Sequence, residues 1–101
     1  MLQTSMIRSR NNTYLIDINL DDFCKNYSKL SDLLENLCSL LEVSLLEWHQ
    51  YIDHGIGRIA FQNEIIKVIW EEFPNSLSFE LHSLDNANLI LRKINLATKQ
   101  L

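Results

Sequence analysis

Alternation of apolar and polar residues dominates the second half of the chain. Between residues 45 and 82, apolar side chains recur at every second position in four short runs. This period of two is typical of strands that bury one face. Residues 53–57, 62–64 and 73–76 separate the runs, and short connections of this kind imply antiparallel neighbours. The first connection contains Gly55 and Gly57, which we expect to supply positive φ angles to a turn.

The region before these strands has the period of a helix. Apolar residues step by four, three, four, three and four positions, and the stripe consists of Phe23, Tyr27, Leu30, Leu34, Leu37 and Leu41. The stripe predicts a helix that ends near Val43 and packs on a sheet. A strand is expected before this helix, at residues 14–19.

A second helix should follow the strands and begin after the N-cap residue Ser83. Its apolar face would contain Leu84, Ala87, Leu91 and Ile94.

These elements predict an α+β fold in the order strand, helix, four strands, helix. Both helices should cover one face of a mainly antiparallel, five-stranded sheet. The covered face is expected to contain Leu46, Trp48, Ile59, Phe61, Ile66, Val68, Trp70, Leu77, Phe79 and Leu81.

The length of 101 residues predicts a single domain over 1–101, with residues 1–12 as a loosely ordered lead-in. No segment has the apolar core of a signal peptide or the length of a membrane span. Cys24 and Cys38 fall in the same predicted helix, about 21 Å apart, which is too far for a disulfide. Free thiols indicate a reducing compartment, and we expect a cytoplasmic protein that does not bind membranes.

The negative charge is concentrated in the middle of the chain. Residues 11–91 contain all 13 carboxylates against four basic residues, a net charge of −9. A body of this charge repels nucleic acid and attracts basic surfaces. The same composition is also common in proteins that are acidic only for solubility.

The residue patterns of catalytic and metal sites are missing from the sequence. His49, Asp53 and His54 are candidate metal ligands, but an extended strand would hold His49 and Asp53 about 13 Å apart. The sequence lacks a nucleophile elbow and a phosphate-binding loop. Glu71 and Glu72 are adjacent in a strand and would point to opposite faces, so they cannot act as an acid–base pair. We therefore expect a binding protein with no catalytic residues, no cofactor and no metal.

The run Trp70-Glu71-Glu72-Phe73-Pro74-Asn75-Ser76-Leu77-Ser78-Phe79-Glu80-Leu81 is followed by Asp85 and Ala87 at the start of the last helix. This part of the chain resembles small immunity proteins of bacterial contact-dependent growth inhibition and related polymorphic toxin systems. The resemblance implies a protein that neutralises a cognate toxin domain, commonly a nuclease, by covering its active site or an adjacent surface. Its carboxylates would pair with the basic groups that hold nucleic acid there.

On this hypothesis the uncovered sheet face would bind the toxin. Strand parity selects Glu47, Glu71 and Glu80 as charged contacts and Tyr51 as an aromatic anchor. The unbound protein is expected to be a monomer rather than a dimer. A small acidic secretion chaperone is the alternative: it would dimerise, with the leucine-rich helix as its exposed dimer surface. An enzyme subunit or a small-ligand-binding domain is a third possibility, ranked lowest because few polar residues converge.

Overall fold

A six-stranded antiparallel sheet forms one layer of the structure, and two helices form the other. The computed structural model describes residues 4–8, 12–20, 30–72 and 75–97. The strands are β1 (Thr4–Arg8), β2 (Tyr14–Asn19), β3 (Ser44–Gln50), β4 (His54–Phe61), β5 (Glu64–Glu71) and β6 (Ser76–Leu81), and the helices are α1 (Leu30–Leu41) and α2 (Leu84–Ala97). Across the sheet the strands lie in the order β1-β2-β6-β5-β4-β3, so β1 and β3 are its edges.

The predicted α+β class and the order strand, helix, four strands, helix are confirmed. All five expected strands are present, and β1 adds a sixth inside the segment that was expected to be a loosely ordered lead-in. Its backbone pairs with β2 from Thr4 opposite Ile18 to Arg8 opposite Tyr14. Residues 21–29 and 73–74 lie outside the described part of the chain. The expected first half of α1, Cys24 and the turn at Pro74 therefore do too.

The core lies between the helices and one face of the sheet. From the sheet, the fully buried residues include Ile16, Ile18, Ile59, Ile66, Val68, Leu77, Phe79 and Leu81. Helix α1 contributes Leu33, Leu34, Leu37, Cys38 and Leu41, and α2 contributes Ala87, Ile90 and Ile94. The stripe of α1 and the alternation of the strands thus bury most of the residues that their periods predicted. On α2, Leu84 was expected on the apolar face but is 46% exposed. Trp48 and Trp70 pack at the margin of this core and are only partly buried.

Leu46 is the exception to the predicted parity. The register of β3 against β4 shifts between Leu45 and Glu47, where a β-bulge leaves one extra residue in β3. That residue is Leu46, and it is 51% exposed instead of buried. A bulge of this kind bends an edge strand and hinders its pairing with another chain. The expectation that Leu46 belongs to the core was wrong because parity arguments assume an uninterrupted strand.

The two glycines also have a different role from the one expected. Gly55 and Gly57 lie within β4, and neither has a positive φ. The turn is formed instead by residues 51–53. A Cβ on Gly57 would lie 2.5 Å from the backbone oxygen of Glu47 and 2.6 Å from the Trp48 ring, and a Cβ on Gly55 would also collide with that ring. The glycines therefore provide a flat strand surface on which the Trp48 indole lies.

The helix ends are capped by specific contacts. At the end of α1, Glu42 has a φ of 60°, and the amides of Glu42 and Val43 donate to the carbonyls of Ser39 and Cys38. This double contact is a Schellman motif, and it places the end of the helix close to the predicted Val43. At the start of α2, the Ser83 hydroxyl accepts from the Asn86 amide at 3.2 Å, which confirms the predicted N-cap.

Candidate binding surface

The face of the sheet that the helices do not cover is the candidate binding surface. Residues that are opposite one another in an antiparallel pair share a face. The pairing of Glu47 with Arg58, of Arg58 with Lys67 and of Lys67 with Glu80 runs across four strands of this open face. Glu71 lies on the same face, opposite His54. The structure thus places the predicted contacts on one face, but it divides them between two sites.

Glu47 and Glu80 belong to the first site, a charged row formed by Glu47, Arg58, Lys67 and Glu80. Arg58 Nε donates to Oε1 of Glu47 at 2.6 Å. This hydrogen bond lowers the pKa of the Glu47 carboxyl and raises the pKa of the Arg58 guanidinium. In the middle of the row two cations are neighbours, and each end is a carboxylate. The charges of the row therefore balance, and its carboxylates attract a basic partner only weakly.

The second site lies at the β3–β4 turn. The Tyr51 amide donates to the His54 carbonyl at 2.8 Å, which closes the turn. The Tyr51 and His54 rings stack with centroids 4.7 Å apart and planes inclined by 15°. The Asp53 carboxylate, which can only accept, receives a 2.7 Å hydrogen bond from Nδ1 of His54, and this bond lowers the pKa of Asp53.

Two carboxylates at the end of β5 approach this turn. Glu71 lies opposite His54 in the sheet, and the Glu72 amide donates to the Asp53 carbonyl at 3.0 Å. Asp53, His54, Glu71 and Glu72 line a shallow depression together with the side chains of Ile56 and Ile69. The depression thus combines three acidic residues and a histidine with two isoleucines in its lining.

The most exposed large apolar side chain in the described part of the chain lies in the same turn as Asp53. Ile52 is 97% exposed at the turn, and the adjacent Tyr51 is 53% exposed. We call the group that consists of Tyr51, Ile52, Asp53, His54, Glu71 and Glu72 the hairpin patch. Glu71 is four residues from Lys67 along β5, so the patch is separated from the charged row by about 13 Å.

Parity in the sequence identified Tyr51 and Glu71 but missed Ile52, Asp53 and Glu72. These three residues lie outside the strands of the structure, as Tyr51 also does, and parity predicts a face only within a strand. One signal was available for Ile52: it is a large apolar residue directly before the predicted connection at residues 53–57. The roles of Glu47, Tyr51, Glu71 and Glu80 in binding stay predictions.

The candidate metal ligands do not form a cluster of three. His49 lies beside Glu47, with 3.8 Å between Nε2 and Oε2, while His54 contacts Asp53. Within residues 4–8, 12–20, 30–72 and 75–97, no group of three or more His, Cys, Asp or Glu side chains could hold a metal ion. Cys38 is buried in the core, and burial raises the pKa of its thiol to about 11, so the thiolate is scarce at neutral pH.

Comparison with known proteins finds no match: no protein family, no curated protein and no solved structure is similar to this chain. Neither described helix combines the length and the hydropathy that crossing a bilayer would require.

Proposed function

We propose that this chain is a cytoplasmic immunity protein, which binds a basic toxin domain through the hairpin patch and thereby blocks it. The observation that carries the proposal is the composition of the patch. Two exposed apolar or aromatic side chains, Tyr51 and Ile52, precede Asp53 in the turn, and Asp53 lines a depression together with Glu71 and Glu72. Protein interfaces combine apolar anchors with charged surroundings in this way.

Two charge distributions support the proposal: that of the hairpin patch and that of the chain as a whole. The patch has three carboxylates and no lysine or arginine, in contrast to the balanced charged row. Residues 11–91 have a net charge of −9, which would accelerate encounter with a basic domain. A nuclease is the toxin class that fits best, because a surface that holds nucleic acid is basic. The protein itself would perform no chemistry.

The geometry of α1 weakens the secretion-chaperone alternative. That hypothesis needs an exposed leucine-rich helix as a dimer surface. In the described part of the helix, Leu33, Leu34, Leu37 and Leu41 are at most 4% exposed. These leucines pack against the sheet and α2, so they do not provide a surface for a second copy of the chain.

The proposal is tested by co-expression with the toxin domain encoded by the neighbouring reading frame. Wild-type protein should restore growth of cells that express the toxin. The double substitution Glu71→Lys and Glu72→Lys changes the charge of the patch by +4 and should abolish protection, because the cationic partner would then be repelled.

A matched control carries the same change in charge elsewhere. Asp32 and Glu35 are exposed on α1, on the helical side of the sheet. The variant with Asp32→Lys and Glu35→Lys should still protect. Loss of protection in both variants would show that only net charge matters, and failure of the wild-type protein to protect would refute the proposed function.

A further inference from the structure

Two cations lie side by side in the middle of the open sheet face, and apolar side chains flank them. Because alternate residues of a strand share a face, this region is formed by two short rows of residues on neighbouring strands. We call it the central strip, and it consists of Ile56, Arg58 and Ala60 on β4, with Ile69, Lys67 and Ile65 opposite them on β5. The strip is open to solvent: Ile56 is 40% exposed, Ile65 is 56% exposed, and the Arg58 side chain is 53% exposed.

The pairing of the two cations is unfavourable for the sheet itself. Arg58 and Lys67 are directly opposite one another, and like charges in such positions destabilise a sheet. Glu47 accepts a hydrogen bond from Arg58 at 2.6 Å. Lys67 is opposite Glu80 on its other side, but among the residues that the structure describes its ammonium forms no ion pair. A carboxylate from outside the chain would relieve the repulsion, and its hydrogen bonds to the two cations would be charge-assisted.

The central strip is continuous with the hairpin patch. Ile56 and Ile69 belong to the strip, and they also line the depression that contains three carboxylates of the patch. A partner that is bound at the patch and extends along β5 would therefore cover the strip as well. Along β5, Lys67 is about 13 Å from Glu71, so the two regions would meet different groups of the same partner.

We infer that the partner presents a carboxylate to Arg58 and Lys67, about 13 Å from the basic residues that meet the hairpin patch. The inference rests on the proposed function and adds a requirement to it, because a uniformly basic surface would not fit. The fitting surface has an acidic residue between apolar side chains, next to its basic region. The central strip would thus distinguish the cognate toxin domain from other basic domains, since a lysine or arginine at that position would be repelled.

The sign of one charge substitution tests the inference. Lys67→Glu makes the protein more acidic, so long-range attraction alone would strengthen its binding to a basic toxin domain. If a carboxylate of the partner meets Lys67, the substitution instead brings two carboxylates together. We then expect the dissociation constant for the toxin domain encoded by the neighbouring reading frame to rise about tenfold, measured by isothermal titration calorimetry.

A matched control carries the same change in charge on the other side of the sheet. Arg92 is exposed on α2, so Arg92→Glu should bind the toxin domain as tightly as the wild-type protein or slightly more tightly. Circular dichroism verifies that both variants are folded. Because Lys67→Glu removes one of two opposed cations, we expect it to fold.

A second measurement needs no variant. A water-soluble carbodiimide joins an amine to a neighbouring carboxylate through an amide bond, and the reagent takes up the water that is lost and becomes a urea. In the wild-type complex, mass spectrometry should find the Lys67 amine joined to an aspartate or glutamate of the toxin domain.

The outcomes separate the inference from the proposed function. The inference is overturned if Lys67→Glu binds as tightly as Arg92→Glu, or if Lys67 forms no crosslink to the toxin domain in a complex that does assemble. The proposed function would survive either result, provided that the wild-type protein binds and that the variant with Glu71→Lys and Glu72→Lys does not. Failure of the wild-type protein to bind the toxin domain would refute the proposed function itself.

Discussion

The β4–β5 connection is built from two residues with left-handed backbones. Gln62 has a φ of 49° and Asn63 a φ of 64°, and Phe61 pairs with Glu64 across the turn. Positive φ angles at both central residues are characteristic of a type I′ turn, whose twist matches that of the flanking strands. Glutamine and asparagine are compatible with this turn, but glycine at the second position is favoured.

Asn63→Gly is therefore expected to raise the free energy of unfolding by about 0.5 kcal/mol, because glycine adopts a positive φ without steric cost. Urea denaturation measures the change. Asn88→Gly is the matched control: Asn88 is exposed in α2 and has no positive φ. That substitution should lower stability slightly, so a similar gain in both variants would contradict the turn argument.

The Cys38 thiol is expected to be unreactive in the folded protein. It is buried in the core, and burial raises its pKa to about 11, so little thiolate is present or accessible at about pH 8. In a Cys24→Ser variant, Ellman's reagent should label Cys38 only after unfolding. Rapid labelling under native conditions would show that α1 opens readily.

At the scale of elements, Trp48 links the edge strand β3 to β4. Its ring lies over Gly55 and Gly57, and its indole Nε1 donates to the side chain of Gln50 at 3.0 Å. The edge of the sheet therefore depends on two positions in β4 that have no side chain.

Gly57→Ala is expected to be more destabilising than Gly55→Ala. At Gly57 the new Cβ would meet the backbone oxygen of Glu47 as well as the ring, whereas at Gly55 it would meet only the outer atoms of the ring, which can move. We expect a loss of about 2 kcal/mol for Gly57→Ala and about 1 kcal/mol for Gly55→Ala. Denaturation of both variants measures the losses, and the reverse order would contradict the packing described for Trp48.

Glu64 joins the β4–β5 turn to the start of α2. Its Oε2 accepts from the His82 amide at 2.6 Å, and its Oε1 accepts from Nδ2 of Asn86 at 2.9 Å. Glu64→Ala removes both acceptors and is expected to cost about 1–2 kcal/mol of stability, measured by thermal or urea unfolding. Glu35→Ala, at an exposed position of α1, should have almost no effect, and equal effects would show that the contact contributes nothing.

The periods of the sequence predicted the regular elements but not the irregular ones. Alternation defined β5, β6 and the second half of β4, because each buries one face without interruption. The first half of β4 was expected to be a turn. It failed at Leu46, since a bulge depends on pairing with another strand, and at Gly55 and Gly57, since their role depends on where Trp48 lies. Strand β1 gave little signal because its sequence, TSMIR, has no sustained alternation.

At the scale of the whole molecule, the sheet separates stability from the proposed binding. One face and the two helices form the core, and the opposite face presents the charged row and the hairpin patch. Sequence parity could assign Glu47, Glu71 and Glu80 to this face. It could not show that Arg58 pairs with Glu47 or that Asp53 and Glu72 meet, because both facts depend on the register between strands.

Hydrogen–deuterium exchange of the protein, free and bound to the neighbouring toxin domain, tests the central claim most directly. We expect new protection at residues 50–56 and 69–72, which contain the hairpin patch, and no change on the exposed side of α1 and α2. Protection confined to the helices, with the hairpin patch exchanging as in the free protein, would contradict the account.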